Sequence, residues 1–589
     1  MADTGANGLT FARWPSIFTT GKLFKSADSP HYTEPSQGGA GTCYMIQALA
    51  GVAEFPALIS SIFLTKTKNS AGIHAIRFFI RGKPWVLAVD DELLWYNGSD
   101  SNGNRMLYFT KDSTYSAFWA PVLEKAWAKI VGNYAQANGG FIITGTRVLT
   151  GVPGFAYSAT TLGTSTSSKT YMTLDEAHAL LVSGEAANYI MNAGTNGSGN
   201  DQVTNSCGIA MSHAYSMLAA FTMKDASDVE HKMLLFRNPW GTTGYSANWK
   251  HDDTKWTDAL VAQVPLSIDP RTSKDKGIFA IEMTRFGPQT DSANNCFGDF
   301  SVSHIRTGYS NNWYDQNAAV DSEEVFYEVT VPAKDGDLYF SVETYPYNVI
   351  PSSCFGGSYT FQGTTYTSQT MPTVFFAVYK GTASNWASYT WHSFQFTRPL
   401  LIAEADYAAG DKFRLKTNVY FVGSATREYT VHVYSKQDLK VYKEGTTTTS
   451  IQHMDGQSPS GFTDNLYWGI DATCDPKATS GTTKCGTTTD TTTDDGKKDD
   501  GTKDDDKKDD TTTDDTTKDD TTVKDPTPTP APVVPADTPT GKTDDEIISG
   551  PPPETADELV ENFNQLFDTD PGAAITYLFD NLDVFFKFW

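Results

Sequence analysis

A glycine-rich turn that runs directly into an apolar helical pattern is the most constraining feature of the sequence. The turn, Gln37-Gly-Gly-Ala-Gly-Thr, ends at Cys43, and apolar residues then recur at helical spacing through Ala53, which predicts a helix buried on one side. A cysteine at a helix N-terminus lies near unpaired backbone N–H groups and the positive end of the helix dipole, and both favour the thiolate. The stretch predicts either a nucleophile beside an oxyanion hole, to which Gln37 contributes an amide N–H, or a small buried core cysteine.

The length and charge of the chain limit the classes of protein to which it can belong. With 589 residues, of which 39% are hydrophobic, the chain exceeds one hydrophobic core and has enough apolar residues for several domains. A net charge of −25 argues against nucleic acid or an anionic membrane surface as the main partner. The most apolar window, residues 45–64, contains Gln47, Glu54 and Pro56, so we predict no transmembrane segment.

Cysteine usage and the N-terminal sequence bear on location. The six cysteines, at positions 43, 207, 296, 354, 474 and 485, show neither a disulfide framework nor a CxxC zinc pattern. The N-terminus lacks the charged-then-apolar pattern of a signal peptide. These features predict a cytoplasmic, reducing location. In a secreted protein, by contrast, Cys474 and Cys485 would be placed to close a small loop.

The N-terminal half of the chain predicts two lobes after a flexible leader of residues 1–22. The first, a helical lobe over 23–150, contains the Cys43 helix, a hairpin of two strand-like runs around an Arg-Gly-Lys-Pro turn, and an amphipathic helix near residues 118–130. The second, a β-rich lobe over 151–290, opens with a helix that begins at a capping box, Thr173-Leu-Asp-Glu, and continues as strands.

The sequence pattern of the C-terminal half changes twice. Over 296–442, short strand-like runs alternate with turn residues, which predicts an antiparallel β-sandwich with a structural or docking role. Residues 445–548 are rich in Asp, Lys, Thr and Pro and predict a disordered tether, whose Asp runs either bind calcium weakly or form a plain solvated tail. Two amphipathic helices are predicted within 549–589, and they predict a docking element that binds either the core of the chain itself or a groove on a partner. If residues 555–589 fold back onto the active-site cleft, they would regulate the activity.

A cysteine nucleophile needs a base and a group that orients the base. His213 lies in an apolar run, 208–217, predicted as a strand, where an imidazole has either a catalytic role or a hydrogen-bonded place in the core. Asn238 ends the following strand, because Pro239 prevents continuation of the ladder. An Asn oxygen that accepts from one imidazole nitrogen fixes the tautomer, and Trp240 would cover the pair and exclude water. Cys, His and Asn in this chain order form the papain-type arrangement.

Three segments resemble the active-site motifs of the calpain family: Gln37–Cys43, Ser212-His-Ala-Tyr215 and Arg237-Asn-Pro-Trp-Gly241. The resemblance covers about residues 23–288 and extends, more weakly, to the region that resembles the β-sandwich of calpains. It implies an α+β fold with a two-lobed papain-like protease core, followed here by the β-sandwich, the tether and the C-terminal helices. It also implies an intracellular cysteine endopeptidase with protein substrates, in which Cys43 lies on the helical lobe and His213 and Asn238 on the β-rich lobe.

Calpains are typically calcium-activated, so the resemblance implies calcium as an activator and no cofactor for the chemistry itself. Glu34 resembles an acidic ligand upstream of the nucleophile, and Asp252 and Asp275 are the remaining metal candidates, because the other expected acidic positions hold uncharged residues. Thr42 and Tyr44 also replace the residues usual beside the cysteine. These departures motivate an alternative prediction, a weak or inactive scaffold that acts through its β-sandwich and tethered helices.

Overall fold

The computed structural model describes residues 8–445, except for 26–29, 67–69, 100–104, 113–115, 159–171, 196–200, 288–294, 319–322, 350–357, 362–363, 368–372, 382–385, 394–398, 421–427 and 438, and it also describes residues 453–454. Contacts between residues divide the chain into one unit of Met1–Thr487 and a second of Thr488–Trp589, and all described residues belong to the first. The predicted helices of 549–589 and nearly all of the predicted tether of 445–548 therefore lie outside the described residues.

The first lobe surrounds the helix that begins at Cys43. All ten residues of this helix are buried, not one face as predicted, because it packs against three further helices and against strands of the second lobe. The elements of this lobe are β1 (Leu9–Arg13), α1 (Trp14–Ile17), β2 (Pro35–Ser36), α2 (Cys43–Val52), α3 (Pro56–Ile62), β3 (Ile73–Ile80), β4 (Lys83–Asp90), β5 (Glu92–Ser99), β6 (Arg105–Leu107), β7 (Lys111–Asp112), α4 (Trp119–Ile130) and α5 (Ile142–Thr150).

The N-terminal strand corrects the expectation of a flexible leader over 1–22. β1 pairs antiparallel with β5 along its whole length. Trp14 is fully buried and stacks on Phe118, with ring centroids 4.4 Å apart. The pairing partner lies far along the chain, so the local sequence does not reveal that this segment is ordered.

The predicted hairpin of the first lobe is confirmed, since β3 and β4 pair antiparallel along their whole length. Its turn has positive φ at both central positions, 54° at Arg81 and 69° at Gly82, and such turns match the twist of the flanking strands. The second strand ends at Asp90. The apolar residues that follow belong to β5, which pairs with β1.

The second lobe is built around one antiparallel sheet. Its elements are β8 (Gly154–Ser158), α6 (Leu174–Ala186), β9 (Ile190–Gly194), β10 (Ala214–Lys224), β11 (Glu230–Arg237), α7 (Asp258–Val261), β12 (Ile278–Glu282), β13 (Asp299–Ser303) and 3₁₀ helices at Pro265–Ser267, Lys274–Lys276 and Met283–Arg285. The six strands have the order β12-β11-β10-β9-β13-β8. The predicted capping box is confirmed at the start of α6, where Thr173 and Glu176 each bond the backbone N–H of the other.

One strand expected in the β-sandwich belongs instead to this sheet. β13 pairs with β9 on one side and with β8 on the other, and Phe300–Ser303 are buried within it. The sheet therefore extends past residue 290, where the sequence predicted the lobe to end. An apolar strand pattern predicts a strand but not the sheet that it joins.

Two five-stranded antiparallel sheets follow. Their elements, with two short strands and two 3₁₀ helices between them, are β14 (Ser310–Asn317), β15 (Glu324–Thr330), β16 (Leu338–Glu343), β17 (Ser358–Phe361), β18 (Thr364–Thr367), β19 (Thr373–Lys380), β20 (Trp386–Ser393), β21 (Leu400–Ile402), β22 (Lys412–Tyr420), β23 (Glu428–Ser435), β24 (Tyr442–Lys443), β25 (His453–Met454), Tyr347–Val349 and Glu404–Asp406. The strand orders are β21-β16-β23-β14-β25 and β20-β19-β22-β15-β24. Apolar side chains from both sheets form one buried cluster, to which Val342 and Val431 contribute from the first sheet and Val329 and Leu415 from the second.

Among the helices that the structure describes, no single one is long and apolar enough to span a membrane. The consecutive helices α2 and α3 meet that criterion only when taken together, and they are bent by 119° at the break between them.

Candidate active site

The glycine turn holds Cys43 at the first residue of α2, where the sequence predicted it. A Cβ atom on Gly38 would lie 2.1 Å from the carbonyl oxygen of Phe109, so this position accepts only glycine without a shift of the backbone. The backbone N–H of Gly39 donates to the carbonyl of Tyr108 at 2.7 Å. The turn is therefore fixed against the segment between β6 and β7, and it delivers the cysteine to a defined place.

Backbone N–H groups act on the Cys43 thiol. Those of Ala214, Tyr44 and Cys43 itself each lower its pKa and so favour the thiolate. Burial opposes them and is the larger effect, because Cys43 is only 9% exposed, and it raises the pKa of Cys43 to about 11. In this arrangement the sulfur is a neutral thiol, so burial outweighs the helix N-terminus that the sequence analysis emphasised.

His213 directly precedes β10 and does not lie on the strand itself. Ser212 has a φ of 48°, and this turn conformation interrupts the extended run predicted over 208–217. The N–H of His213 donates to the hydroxyl of Thr195 at 3.1 Å, and the N–H of Thr195 donates to the carbonyl of His213 at 2.9 Å. The imidazole is therefore positioned by the residue that follows β9 as well as by β10.

Asn238 follows β11 and lies against the imidazole. Its side-chain oxygen is 3.0 Å from Nε2 of His213 and also accepts the backbone N–H of Trp240 at 3.0 Å. Because a backbone N–H can only donate, the amide oxygen is the acceptor in both bonds, and Nε2 carries the imidazole proton. Nδ1 of His213 is then the nitrogen that can accept a proton.

Trp240 covers this polar pair. The centroids of the Trp240 and His213 rings lie 4.7 Å apart at an interplanar angle of 44°, and His213 and Asn238 are both 3% exposed. Burial lowers the pKa of His213 to about 4, although the hydrogen bond to Asn238 and the charge of Asp201 act in the opposite direction. The imidazole is therefore neutral at pH 7.

Cys43 and His213 meet where the two lobes join. Cys43 shares a buried cluster with Ala214, the residue after His213, and the backbone of Ala214 favours the Cys43 thiolate. Nδ1 of His213 is buried and has no hydrogen-bond partner within the described part of the chain, and a carboxylate oxygen of Asp201 lies 3.8 Å from it. The structure thus brings together Cys43, His213 and Asn238, and it adds Asp201, which the sequence analysis missed.

Gln37 lies beside the nucleophile, with its side chain directed at the turn. Nε2 of Gln37 donates to the carbonyl of Ala40 at 2.8 Å, while the backbone N–H donates to the carbonyl of Pro239 at 2.8 Å. An amide nitrogen has two N–H groups. The bond to Ala40 therefore uses only one of the two.

Two further hydrogen bonds fasten β2, the strand that enters the turn, to the segment that carries Asn238. The guanidinium of Arg237 donates to the carbonyl of Pro35 at 2.6 Å, and the hydroxyl of Ser36 donates to the carbonyl of Trp240 at 2.9 Å. Arg237 is 1% exposed, and burial lowers its pKa to about 10, so it stays cationic at neutral pH. Direct contacts within the protein therefore align the two lobes at the site.

The metal candidates Glu34, Asp252 and Asp275 do not form a site. One carboxylate oxygen of Glu34 accepts the indole N–H of Trp119 at 2.5 Å, and the other lies 3.3 Å from Nζ of Lys25. Asp252 and Asp275 are exposed on the second lobe. Over the described residues, no group of three or more His, Cys, Asp or Glu side chains is arranged to hold a metal ion, so these three carboxylates belong to no such cluster.

A disulfide between Cys207 and Cys296 lies near the site and was not predicted. The side chain of Asn205 accepts the N–H of Cys207 at 3.0 Å and donates to the carbonyl of Cys296 at 2.9 Å. Together these contacts fasten the segment that leads from Asp201 to His213. A pair separated by 89 residues matches no spacing motif, and Asp201 lies in a polar turn without periodicity, so the sequence offered no signal for either.

Comparison with known proteins identifies a family for the part of the chain that forms the two lobes. Residues 3–296 match the family described as calpain family cysteine protease. The matched range contains both lobes up to Cys296, and with them Cys43, His213 and Asn238.

Individual relatives cover smaller shares of the chain. The Calpain-type cysteine protease ADL1 of Oryza sativa subsp. japonica is 28% identical over 233 residues, which are 39% of this chain and 10% of that protein. Calpain-8 of Homo sapiens is 26% identical over 247 residues, 41% of this chain and 31% of the relative. Calpain-5 of Caenorhabditis elegans is 25% identical over 343 residues, 53% of this chain and 48% of the relative. The chain thus spans less than half the length of each of these relatives.

Proposed function

Because this chain belongs to the calpain family of cysteine proteases, we propose that it is an endopeptidase that cleaves proteins at limited sites through Cys43, His213 and Asn238. One observation carries the proposal: Nε2 of His213 lies 3.0 Å from the oxygen of Asn238, while Cys43 shares a buried cluster with Ala214, the residue that follows His213. The nucleophile, the base and the orienting group are therefore consecutive in space although they are far apart in sequence.

The acylation step follows from this order of contacts. The Cys43 thiol gives its proton to Nδ1 of His213, and the sulfur attacks the peptide carbonyl carbon to form a C–S bond. The N–H of Cys43 and the second amide N–H of Gln37 stabilise the oxyanion. The C–N bond then breaks as Nδ1 of His213 passes its proton to the leaving amine, which leaves a thioester on Cys43.

The deacylation step uses the same imidazole. Nδ1 of His213 takes a proton from water, the hydroxyl oxygen attacks the thioester carbonyl, and the C–S bond breaks. The carboxylic acid product leaves, and the proton returns to the sulfur of Cys43. Trp240 excludes other water from the His213–Asn238 bond, and no step needs a cofactor.

Cleavage of a fluorescently labelled protein by the purified full chain tests this proposal against Cys43→Ala and Cys43→Ser variants. We expect the wild type to cleave and both variants to lose at least about 10³-fold in kcat. Thermal unfolding of each variant shows whether it keeps the fold. A well-folded Cys43→Ala protein that still cleaves would overturn the mechanism.

Calcium enters the same experiment as a variable. We propose that the Arg237 and Ser36 contacts align the lobes, so cleavage persists when calcium is chelated. Cleavage only with added calcium would mean that the ion acts as an activator through ligands other than Glu34, Asp252 and Asp275. The reaction chemistry is the same in either case.

A second candidate function is a weak or inactive scaffold that acts through its C-terminal sheets and tethered helices. The observation that favours it is the buried neutral thiol of Cys43, with its pKa raised to about 11. No cleavage in either calcium condition, together with failure of a peptidyl electrophile to label Cys43, would favour this function over the protease.

The remaining features of the proposal concern the rest of the chain. We place the protein in the cytoplasm with protein substrates as partners, and we assign docking, on this chain or on a partner, to the helices predicted within 555–589. Truncation at Asp544 tests the regulatory form of that assignment, because unchanged activity would exclude occlusion of the cleft by the tail.

A further inference from the structure

Asp201 belongs to the candidate site, yet the proposed mechanism does not use it. Its carboxylate lies 3.8 Å from Nδ1 of His213, the nitrogen that protonates the leaving amine, and its charge also acts on the Cys43 thiol. The Asp201 side chain is 23% exposed, whereas His213 is 3% exposed. Asp201 is therefore in contact with solvent beside the buried pair, where a substrate side chain can meet it.

Asp201 has no permanent cationic partner in the described part of the chain. Its only ion-pair contact there is with His213, which is neutral, and its other oxygen accepts an amide N–H of Gln202 at 3.2 Å. Glu34 and Asp112, two other acidic residues near the lobe junction, differ because they share the ammonium group of Lys25. A partly desolvated carboxylate without a countercharge attracts a cation more strongly than an exposed one, because solvent and salt screen it less.

The position of the carboxylate specifies which part of a substrate it meets. In the proposed reaction, Nδ1 of His213 protonates the amine of the residue that follows the scissile bond, so that residue must bring its backbone nitrogen to Nδ1. The Asp201 carboxylate lies beside Nδ1 of His213 as well, at 3.8 Å. The flexible stem of a lysine or arginine at this position is long enough to turn its cationic end to Asp201.

We propose that Asp201 is a specificity-determining residue, which selects lysine or arginine at the substrate position directly after the scissile bond. The inference rests on the proposed protease function. The ion pair between Asp201 and a cationic substrate side chain forms next to the scissile bond, so it holds the leaving amine at the nitrogen that protonates it. The contact that selects the substrate thus also positions it for reaction, which raises kcat/KM.

The first experiment maps cut sites in a denatured protein mixture digested by the full chain. We expect lysine and arginine to be enriched several-fold directly after the cut by wild type, and to return to background with Asp201→Asn. Asp228→Asn is the matched control, because Asp228 is exposed on the β10–β11 turn of the same lobe and its φ of 59° suits asparagine. This control must keep the enrichment.

The second experiment removes the charge from the substrate. Two peptides are compared that differ only in having lysine or norleucine directly after the cut. For wild type, kcat/KM should be about 10-fold or more higher for the lysine peptide. For Asp201→Asn, kcat/KM should be about the same for both peptides. If that variant does not fold, wild type alone suffices, since the ratio should fall towards one as salt screens the pair. A ratio that is near one at low salt, or that Asp201→Asn leaves unchanged, overturns the inference.

The two proposals fail in distinguishable ways. Wild type that cleaves no peptide, and whose Cys43 reacts with no peptidyl electrophile, contradicts the protease function. Wild type that cleaves efficiently with no preference after the cut contradicts only the role of Asp201.

Discussion

The guanidinium of Arg237 donates a hydrogen bond of 2.6 Å to the carbonyl oxygen of Pro35, across 202 residues of chain. The contact joins the residue before Asn238 to the strand that enters the glycine turn before Cys43. The contact holds the backbone at Pro35 at a fixed separation from the backbone at Arg237. The hydrogen bond from Ser36 to Trp240 joins the same two segments. The distance between the nucleophile and its base therefore depends on a buried arginine that takes no part in the chemistry.

Replacing Arg237 with methionine should loosen this junction. The carbonyls of Thr33 and Pro35 would lose their donors, and an unpaired buried polar group costs about 1–3 kcal/mol, so we expect a loss of about 2–4 kcal/mol in the free energy of unfolding. We also expect kcat/KM to fall about 10- to 100-fold through misplacement of the base. Urea unfolding and steady-state cleavage measure the two effects.

The control for this variant is Arg414→Met. Arg414 pairs with Glu444 on the surface of the C-terminal sheets, and its side chain is 41% exposed, so its loss should cost no more than about 1 kcal/mol and leave kcat/KM unchanged. If Arg237→Met unfolds and cleaves as Arg414→Met does, Arg237 does not align the lobes.

Asn238→Ala should lower kcat without unfolding the protein. The variant removes the oxygen that holds Nε2 of His213 and the N–H of Trp240, so the imidazole can rotate and change tautomer, and we expect a loss of about 100-fold in kcat. Asn248→Ala is the matched control, since Asn248 is exposed in the same lobe and bonds Tyr245 only through its backbone carbonyl. Equal kcat for the two variants would remove Asn238 from the mechanism.

The parts of the site that the sequence predicted share one property: local patterns determine them. Cys43 at a helix start follows from a glycine turn before apolar periodicity, and the capping box at Thr173 and the β3–β4 hairpin follow from nearby residues. The position of Asn238 at a strand end follows from Pro239. These features need no knowledge of a distant partner.

The parts that the sequence missed depend on such partners. α5 was not predicted, because Ile142–Thr150 is rich in β-branched residues that also favour strands. β1 and β13 are ordered by pairing with remote strands, and Asp201 reaches His213 only through the fold of its loop. The raised pKa of Cys43 has the same origin, since burial by both lobes outweighs the local helix terminus.

The pH dependence of Cys43 alkylation tests that balance. Burial raises the thiol pKa to about 11, and only the thiolate reacts, so at pH 7 iodoacetamide should modify Cys43 at least about 100-fold more slowly than the same cysteine in unfolded protein. The rate should rise about tenfold per pH unit between pH 7 and 10. Peptide mapping by mass spectrometry resolves Cys43 from the other cysteines.

The opposite result has a distinct signature. A thiolate–imidazolium pair in the free protein gives fast alkylation that is constant from about pH 5 to 8, because the thiolate persists until the imidazole deprotonates. Such a plateau, abolished in His213→Gln, would show that Cys43 and His213 exchange a proton before substrate binds.

The Cys207–Cys296 disulfide should stabilise the second lobe. The bond closes a long loop, with a sequence separation of 89, so its reduction should lower the free energy of unfolding by about 2–5 kcal/mol. Urea unfolding with and without a reductant measures the effect. The double variant, Cys207→Ser with Cys296→Ser, should have the same free energy of unfolding as the reduced protein, and the reductant should not change it. Non-reducing peptide mapping decides whether the bond exists. Two alkylatable thiols in the native protein would contradict the disulfide and agree with a cytoplasmic location. An intact cross-link would count against a cytoplasmic location, because the cytosol keeps such pairs reduced.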